Sequence, residues 1–273
     1  MTAQPRELAD LALKVAQEAA ALVLDHKARG GGSDWVADTK SSDVDVVTLA
    51  DRASEDLIRD RLLSARPDDA LLGEEGDDVV GTSGVRWIVD PIDGTVNFLY
   101  GLPEFSVSIA AEVDGEVVAG VVLDAAKERS YVGFVDAGLP GGGAATRNGV
   151  PLAVRGPAPV SQRLLATGFS YSAEKRAVQA AATARMLPLV RDIRRHGSCA
   201  LELCHVAEGA LDGYVEEGVN LWDFAAGGLI ARLAGAQLVV LPGAGGTDLV
   251  VCGPDHGFEE LVALARKSGF TRE

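Results

Sequence analysis

Cysteine is scarce in this chain of 273 residues: Cys199, Cys204 and Cys252 are the whole complement, and no two have CxxC spacing. That excludes a zinc knuckle and a disulfide scaffold of the kind that staples small secreted domains. Cys199 and Cys204, five apart in a helix-like stretch, read as buried apolar filler. Histidine is nearly as rare. His26, His196, His205 and His256 share no metal-ligand spacing in the sequence, and each reads as a surface or packing residue. Basic charge is in deficit, with 25 Lys and Arg against 40 Asp and Glu, a formal net charge of -15. A field of that sign repels nucleic acid and anionic membrane, but not a small phosphate ester whose site holds a cation. No apolar run is long enough to span a bilayer, and Met1–Asp10 has no apolar signal core. The expectation is a cytoplasmic protein with neither a membrane nor a direct nucleic-acid partner.

What is present is an ordinary globular composition. Hydrophobic residues make up 47%, enough at this length to bury a core without a metal or disulfide staple. Helical periodicity over residues 7–26 predicts a first helix. Residues 28–47, rich in Gly, Ser and Asp around Trp35 and Lys40, read as a loop. A second helix is expected from Thr48 to Ala65, with Thr48 and Asp51 spaced as a loose capping box. Phe105–Val113 and Glu116–Leu123 form a strand pair joined at Asp114–Gly115, a strong hairpin signal. Further on, short strands alternate with helices at 172–187, 199–208, 222–234 and 258–267. The chain therefore divides into an α+β half, residues 1–150, and an α/β half, residues 151–273.

Acidic residues gather at the ends of apolar runs: Asp51, Glu74, Asp90, Asp93 and Asp223. Each alone has an ordinary explanation as a turn former or helix-start acid. The hexapeptide Asp90-Pro91-Ile92-Asp93-Gly94-Thr95 after a hydrophobic strand is harder to explain that way. Pro91 fixes its φ angle and removes a donor. Gly94 permits close backbone approach, and the Gly94–Thr95 amides can face an anion. Crowded carboxylates raise one another's pKa and need cations. With no His or Cys adjoining them in sequence, an oxygen-only donor set favours Mg2+ or Mn2+ over Zn2+. Asp223 opens a Trp-Asp-Phe-Ala-Ala-Gly-Gly segment, where an N-cap role is the simple reading. The small residues Ala225–Gly228 would let that helix approach another backbone closely.

Two strings, Asp90-Pro91-Ile92-Asp93-Gly94-Thr95-Val96-Asn97-Phe98 and Trp222-Asp223-Phe224-Ala225-Ala226-Gly227, carry a resemblance. So do Gly73-Glu74-Glu75, the stretch from Lys40-Ser41-Ser42 through Asp45 to Asp51, Arg194-Arg195-His196-Gly197-Ser198 and Asp212–Gly218. With these residues the chain resembles the inositol monophosphatase family of Mg2+-dependent, lithium-sensitive phosphomonoesterases, from about residue 8 to 268. The resemblance implies a layered αβαβα sandwich of two sub-domains, like that of other sugar phosphatases, and a homodimer. It implies two or three Mg2+ ions. Glu74, Asp90 and the Ile92 carbonyl would hold the first ion, and Asp90, Asp93 and Asp223 the second. A third, weaker ion would lean on Glu74. Asp51, Thr95 and Glu74 would form the catalytic group, with Thr95 and Asp51 orienting and deprotonating the attacking water. Asp93, Gly94, Thr95, Gly197, Ser198, Cys199, Glu216 and Asp223 would border a small phosphorylated polyol.

Asp43 and Cys199 depart from the usual family pattern, and neither touches the implied metal set. The expected reaction is hydrolysis of inositol 1-phosphate. Histidinol phosphate is the strongest rival, since its ammonium would suit an acidic rim near Glu216 and Glu217. Fructose 1,6-bisphosphate and 3′-phosphoadenosine 5′-phosphate are cleaved by other relatives with the same metal set. A regulatory protein-binding role is the non-enzymatic alternative.

Overall fold

A computed structural model of the chain describes residues 4–29, 36–39 and 46–272. Lys40, Asp43 and the other residues of 40–45 lie outside that set, as does Trp35. The first helix, α1 (Pro5–Ala28), starts on a proline, where no N–H donor is needed. Its buried stripe, Leu8, Ala12, Val15, Ala19 and Val23, follows the helical repeat. The segment expected to be a loop instead contains two short antiparallel strands, β1 (Val36–Thr39) and β2 (Val46–Thr48). The Gly-rich composition masked the β-branched residues that pair there.

α2 (Leu49–Ala65) opens with the expected capping box: Thr48 is the N-cap and Asp51 answers from the third helical position. A seven-stranded sheet follows. Its strands are β3 (Ala70–Gly73), β4 (Val85–Asp93), β5 (Ser106–Val113), β6 (Glu116–Asp124), β7 (Arg129–Val135), β8 (Gly143–Arg147) and β9 (Val150–Pro151), side by side in chain order. Only β3 and β4 run parallel. The β5–β6 turn has both central residues at positive φ, Asp114 at 52° and Gly115 at 85°, as a tight hairpin requires. Between β4 and β5 lies the short helix α3 (Thr95–Leu99).

The second sheet has the order β11-β10-β12-β14-β13. Its strands are β10 (Leu164–Thr167), β11 (Asp192–Arg194), β12 (Gly213–Glu217), β13 (Ala236–Pro242) and β14 (Asp248–Pro254). β10 pairs in parallel with β11 and β12, and the other pairings are antiparallel. Helices α4 (Ala173–Met186), α5 (Cys199–Ala207), α6 (Leu221–Leu233) and α7 (Phe258–Ser268) alternate with these strands.

Three buried clusters define the layers. The first joins α1 and α2 to one face of the seven-stranded sheet. The second fills the space between the two sheets with α5 and α6. The third seals α4 and α7 against the far face of the smaller sheet. The result is the αβαβα sandwich. α6 can lie close to the large sheet because its neighbours lack bulk. A Cβ on Gly120 of β6 would sit 2.9 Å from the Ala226 Cα, and one on Gly227 would sit 2.9 Å from the Leu203 Cβ on α5. The small-residue run Ala225–Gly228 is what permits this approach. Among the described residues, no helix is long and apolar enough to cross a membrane.

Candidate active site

The acidic hexapeptide is a strand that changes face. Along a regular strand, residues three apart point to opposite sides of the sheet. In β4 the register against β5 runs Asp90 to Ser108 and then Asp93 to Ser106, so one extra residue is inserted on the β4 side. This bulge lets both carboxylates reach one cavity. Pro91 sits inside it, at a place where a ladder donor would be wasted. Gly94 ends the strand at φ 95°, and a Cβ there would lie 2.7 Å from the Glu104 carbonyl oxygen. Only glycine makes that turn without displacing backbone.

The cavity has a volume of about 450 Å3, and Glu74, Asp90, Ile92, Asp93, Gly94, Thr95, Gly197, Cys199, Glu216 and Asp223 all line it. Ser198 is buried just behind the wall, and its hydroxyl donates to Asp93 Oδ2 at 2.5 Å. The Ala200 amide gives a second bond to the same oxygen at 2.7 Å, and the Cys199 amide binds Oδ1 at 3.2 Å. Asp93 therefore joins the large sheet to the first turn of α5. Asp51 stands behind the lining at the start of α2 and is fully buried. Its Oδ2 accepts from the Thr48 amide at 2.8 Å and from the Thr48 hydroxyl. Its Oδ1 is 3.0 Å from Thr95 Oγ1, whose other partner is the Ile92 carbonyl at 3.0 Å. Asp223 occupies the third position of α6 and accepts from the Asn220 amide at 2.5 Å. Asn220, not Asp223, is the N-cap; a carboxylate three residues into the helix can reach back to it while facing the cavity.

Burial dominates the electrostatics. It pushes Asp93 up to about 7, despite the bonds from Ser198, Ala200 and Cys199 that favour its charged form. Burial also raises Asp90 and Asp223 well above the ordinary carboxylate range, with the charges of Glu74 and Asp93 adding to the effect on both. Asp51 rises to about 6 for the same first reason, restrained by Thr48 and Thr95. Glu216 rises to about 7 through burial, while the Tyr214 hydroxyl, 2.7 Å away, and the nearby Arg195 charge pull it back. Desolvated carboxylates that repel one another, with oxygen as the only donor atom among them, fit hard divalent cations.

Several residues that position the site are given no role by the sequence reading. Glu55 of α2 is buried and accepts from the Glu75 and Gly76 amides at 2.8 and 2.7 Å, which holds the turn bearing Glu74. Asn97 donates to the Glu104 and His196 carbonyls, both at 2.7 Å, tying the end of α3 to the turn before α5. Lys175 and Arg195 line the cavity as its basic groups. Glu217 lines the cavity beside Glu216, as the expected acidic rim has it, but its carboxylate is taken up by backbone donors. It is buried, and its carboxylate accepts from the Gly245 and Thr247 amides at 2.9 and 3.1 Å. Cys199 is buried in the cavity wall, and burial pushes its thiol well up, so it is no nucleophile.

Residues 4–268 match the Inositol monophosphatase family. The chain belongs to the inositol monophosphatase family. An inositol-1-monophosphatase, SuhB of Mycobacterium tuberculosis, is 46% identical over 97% of this chain and 96% of that protein. The crystal structure of the extragenic suppressor protein suhB from Bartonella henselae superposes with a TM-score of 0.84 at 30% identity, covering 96% of this chain and 99% of that one. A Nus factor SuhB of Pasteurella multocida is 39% identical over 72% of each chain. Inositol monophosphatase family membership implies a phosphatase, and the family is metal-dependent, generally on Mg2+.

Proposed function

We propose that this protein hydrolyses inositol 1-phosphate to inositol and phosphate with Mg2+ as cofactor. The observation that carries the reading is the contact of Thr95 Oγ1 with Asp51 Oδ1 at 3.0 Å, set beside a cavity lined by Glu74, Asp90, Asp93 and Asp223. Glu74, Asp90 and the Ile92 carbonyl would hold one ion, Asp90, Asp93 and Asp223 another, and Glu74 would support a third; Mn2+ suits the same donors. When bound, the cations neutralise the carboxylates and the phosphate and lend Lewis acidity to the reacting centre.

The Gly94–Thr95 turn holds the phosphate through its amides. Thr95 aligns the attacking water, taking its proton as the Thr95 hydroxyl proton passes to Asp51. Water attacks phosphorus in line, the ester P–O bond breaks, and no phosphoenzyme forms. The leaving oxygen is protonated by a water that Asp223 orients. Glu216 accepts from a substrate hydroxyl, with Gly197, Ser198 and Cys199 forming the adjoining wall. Glu216 fits this role because Gly168 leaves it room: a Cβ there would lie 2.0 Å from its carboxyl. Lys175 and Arg195 in the lining, together with the engaged Glu217, favour a polyol over the ammonium of histidinol phosphate.

The test is phosphate release from inositol 1-phosphate, histidinol phosphate, fructose 1,6-bisphosphate and 3′-phosphoadenosine 5′-phosphate, with Mg2+ titrated and Asp93→Asn as control. Mg2+-dependent preference for inositol 1-phosphate, lost in the variant, is the expected result. Preference for histidinol phosphate would overturn the substrate assignment, and release independent of Mg2+ would overturn the mechanism. The relative named as a Nus factor favours a second, protein-binding role. In a host lacking the protein, a folded D93N chain that still complements supports that role, and one that fails removes it.

A further inference from the structure

Two of the four histidines do not behave as isolated packing residues. His196, in the turn before α5, meets Glu202 and His205 of α5, and none of the three lines the catalytic cavity. Glu202 and His205 are three apart on one helix, so both project from the same face. His196 Nδ1 lies 3.0 and 2.9 Å from the two Glu202 carboxylate oxygens, and His205 Nδ1 lies 3.7 Å from Oε2. One donor atom from each residue falls within 4.8 Å of the other two. The imidazoles meet edge to face, with centroids 5.5 Å apart.

We propose that His196, Glu202 and His205 form a separate binding site for a transition-metal dication of the Zn2+ class. The donor set is two imidazoles and a carboxylate, which suits Zn2+ and its neighbours and differs from the all-oxygen catalytic set. Tetrahedral Zn2+ with bonds of about 2.0 Å separates its donors by about 3.3 Å, and the two imidazole-to-Glu202 Oε2 separations, 2.9 and 3.7 Å, fall on either side of that value. The burial is graded. Glu202 is sealed at 2% side-chain exposure, whereas His196 opens to solvent at 31%, giving an ion an entrance and water a fourth position. The ion pairs of Glu202 are with these two imidazoles. Nearby Lys127 is held by Glu104 at 2.6 Å, so its charge is already answered.

Loading this site would staple the turn before α5 to the helix. That turn leads directly into Ser198, Cys199 and Ala200, which hold Asp93. The ion would thus brace the wall of the active site without entering it.

The experiment uses the full chain, stripped of metal and returned to excess Mg2+ to occupy the carboxylate site. Co2+ is the probe, since a four-coordinate Co2+ absorbs far more strongly in the visible than a six-coordinate one. One equivalent is expected to give a visible band that survives the Mg2+ and is bleached by one equivalent of Zn2+. His205→Leu and His196→Leu should each weaken Co2+ binding by at least about ten-fold. Asp93→Asn should leave the band in place. Circular dichroism and Mg2+-dependent phosphate release check that the histidine variants fold. Zn2+ should also shift the ring-nitrogen NMR signals of His196 and His205 together, where a purely hydrogen-bonded triad would respond to pH alone. A band abolished by Mg2+, or one lost in D93N but kept in H205L, would overturn the proposal.

Discussion

Removing the divalent cations should make the stability of this protein fall as pH rises through the weakly acidic range. Asp93 and Glu216 are pushed up to about 7, and Asp51 to about 6, in each case chiefly by burial. In the unfolded chain such groups titrate near 4. Between those values the native protein holds protons that the unfolded chain has released. Stability is therefore fully present below pH 4 and declines as pH rises towards the folded-state values. Each such group contributes a slope of about 1.4 kcal/mol per pH unit. For Asp93, raised from 3.8 to about 7, the whole loss is roughly 4 kcal/mol. For a chain of this size that corresponds to a fall in Tm on the order of 10 °C. Cations bind the deprotonated set, so their stabilisation should grow over the same interval. Thermal melts at pH 5, 6, 7 and 8, in EDTA and in Mg2+, measure both trends. The Mg2+-induced rise in Tm should be small at pH 5 and largest at pH 8. D93N should flatten the EDTA slope, which separates the Asp93 contribution from the general repulsion of an acidic protein. Melts in EDTA that are level from pH 5 to 7, or a D93N slope equal to that of the wild type, would refute the argument.

Other substitutions probe single links. Asp93→Asn should keep the fold, abolish turnover and lose the Mg2+-induced rise in Tm, because the amide lacks the charge a bound cation needs; an undiminished Mg2+ response in thermal melts would deny Asp93 its ligand role. Thr95→Ala should lower kcat far more than it weakens inhibition by inorganic phosphate, and equal losses would deny Thr95 its water-positioning role. Glu55→Ala leaves the Glu75 and Gly76 amides without their acceptor, so it should destabilise by about 1–3 kcal/mol and raise the Mg2+ concentration needed for half-maximal activity. Gly94→Ala meets the Glu104 carbonyl at 2.7 Å and a φ of 95°, and should cost about 1–3 kcal/mol of stability with most of the activity.

Much of the architecture was legible in the chain. Helical spacing marked α1, the Thr48–Asp51 spacing marked the start of α2, helices alternating with short strands marked α4 through α7, the Asp114-Gly115 pair marked the β5–β6 hairpin, and the small residues at 225–228 announced a close helix contact. These are local signals, since periodicity, turn chemistry and residue size act over a few positions. The acids were legible in the same way, as polar residues placed where apolar runs end. Their common destination rested on family resemblance, because a chain does not display which distant loops meet.

Tertiary structure alone decided the rest. The β4 bulge aims Asp90 and Asp93 into one cavity, and it is visible only in the register against β5. Both Glu216 and Glu217 of β12 border the cavity, but the Gly245 and Thr247 amides tie up the Glu217 carboxylate while the Tyr214 hydroxyl meets Glu216. His196 and His205, nine residues apart with no recognisable ligand spacing, meet because a turn and a helix face fold around Glu202. The hairpin strands β1 and β2 were hidden by the Gly and Ser around them. In each case the deciding quantity is a direction in space, and direction is set by pairing and packing between segments far apart in the chain. The sequence by itself determined the elements and their chemistry; packing determined which side chains face one another.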